Sequence, residues 1–468
     1  MIILMLFSAV LNAFVYYDIK SDMDVKSSVI SSTVSVNLGD KKERLEFYLN
    51  NNLEIFSDYE IILKKREDLY NLYEIKRKDN KKFDSFKIYY KGVINYPLKE
   101  QKEEYQRSFR ETNGIISEEG CYLSAQSYFY PVIKDLDVFR FKLALKIDRN
   151  YKTVTSGLKT DEFVSDDART EIWESEGYAE DIPVSCGKYT EYKDKYNDIS
   201  LYVFLRSPDK KLADKYLKYA KKYINIYSNL IGTYPYKKFA LVENFFETGY
   251  GFASFTLIGP TVIRFPFLVV SSYPHEILHN WWGNGVFSDY EKGNWSEGLT
   301  AYLSDHLMAE QLGKGSAYRA DTLKKYTDFV NEDNDIKLSE FKSRNSGASE
   351  AVGYGKSLMF FHALRKKVGD DIFIKSLKRF YKENLFKKAS FSDLRNAFEK
   401  ESKMDLKAFF YKYVDGKGLE KINISDVDFN AENSLYEIKF KITQTGDSLC
   451  DIPVFVFFKD KTYEEIKL

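Results

Sequence analysis

Short runs of alternating apolar and polar residues fill the first two hundred positions. In FRFKLALKID, Phe139, Phe141, Leu143, Leu145 and Ile147 share one face, while Arg140, Lys142, Lys146 and Asp148 share the other. That period of two is the mark of a half-buried strand. Similar runs occur in FKIYYKGVINY and around SSTVSVNLG, with NN, DN and NG turn pairs between them. Residues 18–205 therefore read as an N-terminal, mostly antiparallel β domain.

The period changes near residue 208. SPDKKLADKYLKYAKKYINIYSNLIG offers Ser207 or Asp209 as a helix cap, then Leu212, Tyr216, Tyr219, Tyr223, Ile224 and Tyr227 at three-to-four spacing, and stops at Gly232. This predicts an amphipathic helix that opens a new domain. KFALVENFF reads as a strand, and GYGFASFTLIGPTVIR as a strand or edge segment. Helical spacing dominates from Tyr273 to about Gly416, so 206–416 form a mostly helical domain. The tail, with INISDVDFNAENSLYEIKFKITQ, returns to alternation and predicts a short C-terminal β module over 417–468. The expected class is α+β multidomain.

The first seventeen residues, MIILMLFSAVLNAFVYY, are apolar from Met1 to Val10 and carry no charge. That run is short for a membrane span, which needs about 20 apolar residues, and fits a signal-peptide core. Residues 1–17 are thus expected to be a signal or anchor segment, with Leu11-Asn12-Ala13 as an imperfect cleavage site, and the protein to be exported. A retained anchor, giving membrane association through this segment, and a buried first strand are the alternatives.

With 468 residues, 44% of them hydrophobic, the chain is long enough for two or three cored domains. Its 70 basic and 70 acidic residues cancel. Nothing in the charge pattern calls for a nucleic-acid partner, and clusters such as Lys64 to Arg66 read as solvated surface. Cys121, Cys186 and Cys450 lack C-x-x-C spacing and read as buried or idle thiols.

The chemistry gathers in HEILHNWWGN, residues 275–284. Four histidines in 468 residues make a chance H-E-x-x-H a roughly 0.003-fold event in this length. On a helix, His275 and His279 lie on one face and aim two imidazoles at a common point. Glu276 is rotated about 100° away, beside a metal but not on it. A catalytic zinc needs a third protein ligand and an open position. Glu297, in NWSEGLTAYLSDHL, is the candidate. His306 and His362 each sit alone on apolar helical faces and read as satisfied core or surface histidines.

HEILHNWWGN followed by NWSEGLTAYL resembles the zinc-binding core of the membrane alanyl aminopeptidase family, gluzincins that include the leukotriene hydrolase. The resemblance implies a thermolysin-like catalytic domain, one zinc ion held by His275, His279 and Glu297, and Glu276 as general base. The spacer between His279 and Glu297 is one residue shorter than is usual there. AVGYGKSLMFFHAL is similar to the family's Y-x-K-G helix start, which implies Tyr354 as the donor to the oxyanion; Ser357 stands where that motif has glycine. EEGCYLSAQSYFYP is similar to the family's loop entering the active site. The specific likeness covers about Lys238 to Phe380.

One element departs. In ETGYGFASFTLIG, Phe252 falls where the family's amine-binding glutamate should be, and Glu243 or Glu247 are the nearby substitutes. Gly249 and Gly251 would still let a peptide approach the strand backbone as substrate. The sequence shows no counterpart of the family's C-terminal helical domain, which implies a more open cleft. The expected function is a zinc metallopeptidase that is aminopeptidase-like. An endopeptidase without amine recognition and a catalytically silent peptide-binding module are the alternatives. No serine or cysteine nucleophile constellation competes, since GYGFASF is not G-x-S-x-G.

Overall fold

A computed structural model of the chain describes residues 14–100, 109–418, 421–432, 435–445, 453–457 and 463–467. Residues 1–13, which hold most of the expected leader, lie outside the described residues, as does Cys450. Within the leader's expected span a strand already starts: Tyr16–Asp24 has Tyr17 and Ile19 wholly buried.

Alternation becomes strand pairing throughout the N-terminal domain. Its largest sheet has seven strands, and Tyr16–Asp24 lies at the centre between Val29–Lys42 and Arg140–Asp148. Phe141, Leu143, Leu145 and Ile147 point into the core, as the period of two requires. Pairing is antiparallel except between Tyr16–Asp24 and Arg140–Asp148, which run parallel. The short pair Lys99–Glu100 with Arg110–Glu111 and two four-stranded sheets accompany that sheet in the domain. In one, Cys121 and Cys186, distant in sequence, face each other in register as buried free thiols.

The five-stranded sheet of the second domain draws its first two strands, Thr190–Tyr196 and Ile199–Leu205, from upstream of the boundary expected at 206. Those strands alternate like the β domain before them, so periodicity alone does not separate them. Lys238–Glu243 follows in parallel with Ile199–Leu205, then Phe255–Ile258, and Gly249–Phe252 closes the sheet as an antiparallel edge. The segment expected to be a strand or edge segment is a hairpin, and its strand Gly249–Phe252 forms the edge of the sheet among the described residues.

The helix Lys210–Leu230 starts where Asp209 accepts a hydrogen bond from the Leu212 amide at 2.9 Å. It buries Tyr216, Tyr223 and Tyr227 against the sheet's outer layer. The hydroxyls of Tyr216 and Tyr223 donate to the carbonyls of Ile263 and Val269 at 2.6 and 2.7 Å. That fixes the connector leading into the helix Ser272–Leu278. Trp281, Trp282 and Trp295 are fully buried in the same core. Truncating any one of them to alanine would cost about 3–5 kcal/mol, so their role is structural.

The described parts of the C-terminal module are two hairpins, Lys421–Glu432 with Leu435–Thr445 and Pro453–Phe457 with Tyr463–Lys467. No helix among the described residues is long and apolar enough to cross a membrane.

Candidate metal centre

His275 sits in the helix Ser272–Leu278, His279 caps its C-terminus, and Glu297 lies in the first turn of the helix Ser296–Ala301. Among the described residues these three form a group whose ligand atoms all lie within 4.8 Å of one another. The Nε2 atoms of His275 and His279 are 3.6 and 3.4 Å from Glu297 Oε2. Ligands about 2.0–2.1 Å from a tetrahedral zinc would be about 3.3–3.4 Å apart, so the arrangement matches that geometry. Glu297 Oε2 is buried and accepts no hydrogen bond. A buried carboxylate oxygen left in that state is expensive unless a cation completes it.

The far side of each imidazole is held. His275 Nδ1 lies 3.1 Å from Asp305 Oδ2, and His279 Nδ1 lies 3.0 Å from the Trp282 carbonyl oxygen. Both rings thus turn Nε2 inward. Burial pushes the His275 imidazole down, but the charge and hydrogen bond of Asp305, then Glu297, outweigh it and hold it well above its usual range. The same contest, with Glu297 foremost among the raising groups, leaves His279 raised. Burial pushes Glu297 up, but His279 and His275 carry it well below the usual carboxylate range. The pocket stabilises positive charge at its centre, a demand that a divalent cation meets.

Glu276 points past the metal triad toward the edge strand. A Cβ placed on Gly251 would fall 2.5 Å from Glu276 Oε2, which is why this strand position has no side chain. Gly249 has room, with Phe109 3.8 Å from a Cβ placed there. Gly298, directly after Glu297, is explained in the same way, since its Cβ would lie 2.0 Å from Ser357 Oγ. The serine that replaces the motif glycine packs against the metal-bearing helix. Tyr354 stacks near His275, with ring centroids 6.2 Å apart and planes 15° from parallel. Lys356 is a scaffold residue, its ammonium donating to the Gly416 carbonyl at 2.8 Å.

Gly249, Gly251, His275, Glu276, His279, Glu297 and Tyr354 all line one cavity of about 860 Å³. Phe252 is on its wall, its ring stacked on Phe255 at 4.9 Å. Neither substitute for the missing amine anchor lines the cavity. Glu243 is buried, accepts from the Arg206 amide at 2.8 Å and pairs with Arg264 at 2.7 Å. Glu247 accepts from the Thr261 amide at 2.7 Å through Oε1, while its Oε2 is buried without a hydrogen-bond partner. His306 and His362 do not line the cavity, and, where each was expected to sit alone, they are neighbours with centroids 5.6 Å apart. Burial, then the Arg319 charge, lowers them to about 4 and about 3.

Two positioning residues were not singled out from sequence. Asp305 follows Glu297 by eight residues, which on a regular α-helix leaves it about 80° off that face. The π-helical turn Tyr302–His306 takes up one residue and returns it toward the His275 side. Asn280, inside HEILHNWWGN, is fully buried; its Oδ1 accepts from the Ser254 amide at 2.8 Å and from the Tyr234 hydroxyl at 3.2 Å. It ties the hairpin turn to the helix that carries both histidines.

Residues 268–413 match the family model described as the peptidase family M1 domain. Aminopeptidase N of Lactococcus lactis subsp. lactis is 24% identical over 168 residues, 33% of this chain and 19% of that protein. Probable aminopeptidase 2 of Sulfurisphaera tokodaii is 20% identical over 349 residues, 66% of this chain and 44% of that protein. The chain thus spans less than half the length of these curated relatives. Among solved structures, an M1 zinc metallopeptidase from Deinococcus radiodurans is similar with a TM-score of 0.67 at 15% identity, covering 87% of this chain and 94% of that one. A mutant of that metallopeptidase, bound to a Tyr-Ser-Ala substrate, is similar with a TM-score of 0.65 at 15% identity, covering 87% of this chain and 95% of that one. These structures share the fold, a β domain followed by a mixed helical domain.

Proposed function

From the match of residues 268–413 to the peptidase family M1 domain, we propose that the protein is a zinc-dependent, aminopeptidase-like metallopeptidase. The observation that carries the proposal is the convergence of two imidazole Nε2 atoms on a buried, otherwise unpartnered carboxylate oxygen of Glu297. His275, His279 and Glu297 would hold the ion. When bound, zinc supplies Lewis acidity, which polarises a carbonyl and makes water a usable nucleophile near neutral pH.

The chain's own residues do the rest. Among the described residues Gly249–Phe252 is an edge strand, to which a peptide can add as a further strand, its backbone passing close to Gly251. Glu276, beside Gly251, takes a proton from the attacking water and returns it to the leaving amine as the carbon–nitrogen bond breaks. The Tyr354 hydroxyl donates to the carbonyl oxygen as negative charge grows there. Asp305 and the Trp282 carbonyl keep the imidazoles oriented. A second reading, cleavage within a peptide without regard to its amino terminus, is favoured by Phe252 on the cavity wall, which neither Glu243 nor Glu247 lines. Export belongs to the same proposal and rests on the apolar run from Met1 to Val10; N-terminal sequencing of protein recovered outside the cytoplasm tests it.

The experiment is metal analysis together with hydrolysis of matched peptides bearing free and acetylated amino termini, for the wild type and Glu276→Gln. About one zinc per chain with Glu276-dependent cleavage of free-amine peptides supports the aminopeptidase reading. Equal cleavage of both forms supports the second reading. Bound zinc with no Glu276-dependent cleavage of any peptide overturns both.

A further inference from the structure

The connector between the strand Phe255–Ile258 and the helix Ser272–Leu278 has two faces. Val262 and Leu268 line the cavity. Phe265, Phe267 and Val270 turn outward and are 39, 58 and 48% exposed. The two phenylalanine rings stack on each other, with centroids 5.4 Å apart and planes 18° from parallel. The backbone is pinned on either side of them, where the Tyr216 hydroxyl donates to the Ile263 carbonyl and the Tyr223 hydroxyl to the Val269 carbonyl. Large apolar side chains grouped on a pinned, outward-facing backbone mark an interaction surface.

The helix Lys210–Leu230 runs alongside, and the Lys215 ammonium donates to the Pro266 carbonyl, between the two phenylalanines, at 3.0 Å. Lys211, Lys215, Lys218 and Lys222 follow one another at spacings of four, three and four residues. At about 100° per residue they fall within about 60° of one another, on the side opposite the buried Tyr216, Ala220 and Tyr227. None of the four makes an ion pair with the described residues. Asp214, the one acidic residue of the helix, is taken by Lys210 at 2.6 Å, and Asp194 is taken by Lys221 at 2.5 Å. The outer face of the helix is a row of uncompensated positive charge with the stacked aromatic pair at its side.

We infer that this face is a peripheral docking surface for an anionic lipid bilayer, with Phe265, Phe267 and Val270 entering the headgroup layer and the four lysines facing the lipid phosphates. Aromatic rings suit that layer, and each lysine gains from the negative potential of the surface. Either set alone binds weakly, and stable attachment takes an apolar anchor together with basic residues. Lysine is depleted where proteins meet proteins, which disfavours a protein as the occupant. Docking of this kind needs no spanning segment, and no helix among the described residues is long and apolar enough to be one. Since Val262 and Leu268 line the cavity from the same connector, docking sets the cavity close to the lipid surface. It is independent of the chemistry at the metal centre.

The chain's four tryptophans, Trp173, Trp281, Trp282 and Trp295, are all buried, so Phe267→Trp adds a reporter at the surface. Its contact with lipid is read separately from any attachment through the apolar run from Met1 to Val10. The full chain carrying Phe267→Trp is titrated with vesicles of phosphatidylcholine alone, or of phosphatidylcholine and phosphatidylglycerol in equal parts, each containing a nitroxide-labelled lipid. The same titration of the wild type subtracts any quenching of the buried rings. The added tryptophan is expected to be quenched by the anionic vesicles only. Lys211→Gln with Lys218→Gln should raise the lipid concentration at half-quenching by about 10- to 30-fold, and Lys218→Gln alone by about 5-fold. No quenching by either vesicle, equal quenching by both, or a half-quenching concentration that the lysine changes leave within about twofold would overturn the inference. A blue shift of the added tryptophan that grows with protein concentration, without vesicles, would overturn it in favour of a second copy of the chain.

Discussion

Asp305 Oδ2 stands 3.1 Å behind His275 Nδ1, on the side of the ring away from Glu297. The carboxylate orients the imidazole and raises its basicity, the usual contribution of a residue one step behind a metal ligand. Asp305→Asn should therefore weaken zinc binding by about 10- to 100-fold while leaving the fold intact. Competition against a chromophoric chelator measures the affinity, and an unchanged value would show that His275 is oriented by its helix alone.

Gly251 and Glu276 make the second relationship that can be broken without touching a ligand. A methyl group on Gly251 would collide with the end of the Glu276 side chain, 2.5 Å away, and a flexible carboxylate end can move aside. Gly251→Ala should therefore cost little in melting temperature but displace the proton-transfer group by about 1 Å, the shift that ordinary van der Waals contact requires. A kcat loss on the order of 100-fold is expected from a misplacement of about 1 Å. Steady-state kinetics beside a thermal melt checks it: a kcat within twofold of wild type would place the working position of Glu276 elsewhere.

Residues close in sequence and ordered by one helix were legible from the start. H-E-x-x-H needs only a helix to bring His275 and His279 together, and E-G in the next helix supplies Glu297 and the gap that Ser357 fills. What could not be read depends on contacts that no local period encodes. Asp305 reaches His275 because Tyr302–His306 is π-helical, a change of register that the α-helical period hides. Glu180 reaches the cavity across a domain boundary. Glu243 and Glu247 looked available by position, yet their partners, Arg264 and the Thr261 amide, lie 14 to 21 residues further along. The thiols of Cys121 and Cys186 became neighbours only through pairing of distant strands.

Tyr354 offers a separation of chemistry from metal binding. It lies beside His275 without being one of the three converging ligand residues. Tyr354→Phe keeps the ring and removes only the hydroxyl, so zinc content should stay near wild type while kcat falls by about 100- to 1,000-fold with little change in KM, as for the loss of one oxyanion donor. Metal analysis and kinetics on the same preparation decide it. Loss of zinc together with activity would make the hydroxyl part of the metal site instead.

Lys238 supplies a pH dependence at the junction of the two large domains. It is 1% exposed, its ammonium nitrogen donates to the Thr155 carbonyl at 2.5 Å, and the rings of Trp173 and Phe255 lie 4.9 and 5.5 Å from it. Burial lowers it to about 7, against the opposing pull of Glu176 and with a smaller push from Lys159. The unfolded value is about 10.4. Between those two values the unfolded chain keeps a proton that the folded chain has released, so this group's contribution to stability rises with pH through the window and is flat below it. Glu180 works in the opposite sense from about pH 4 to 8, because its folded value of about 8 lies above the unfolded one. The raw stability curve therefore mixes the two. The difference between wild type and Lys238→Met isolates the lysine, and it should climb by roughly 1 kcal/mol per pH unit from pH 7 to 9. Urea denaturation across that range measures it. A difference that stays level would mean that the amine remains protonated in the folded protein, stabilised by Glu176 and the two aromatic faces.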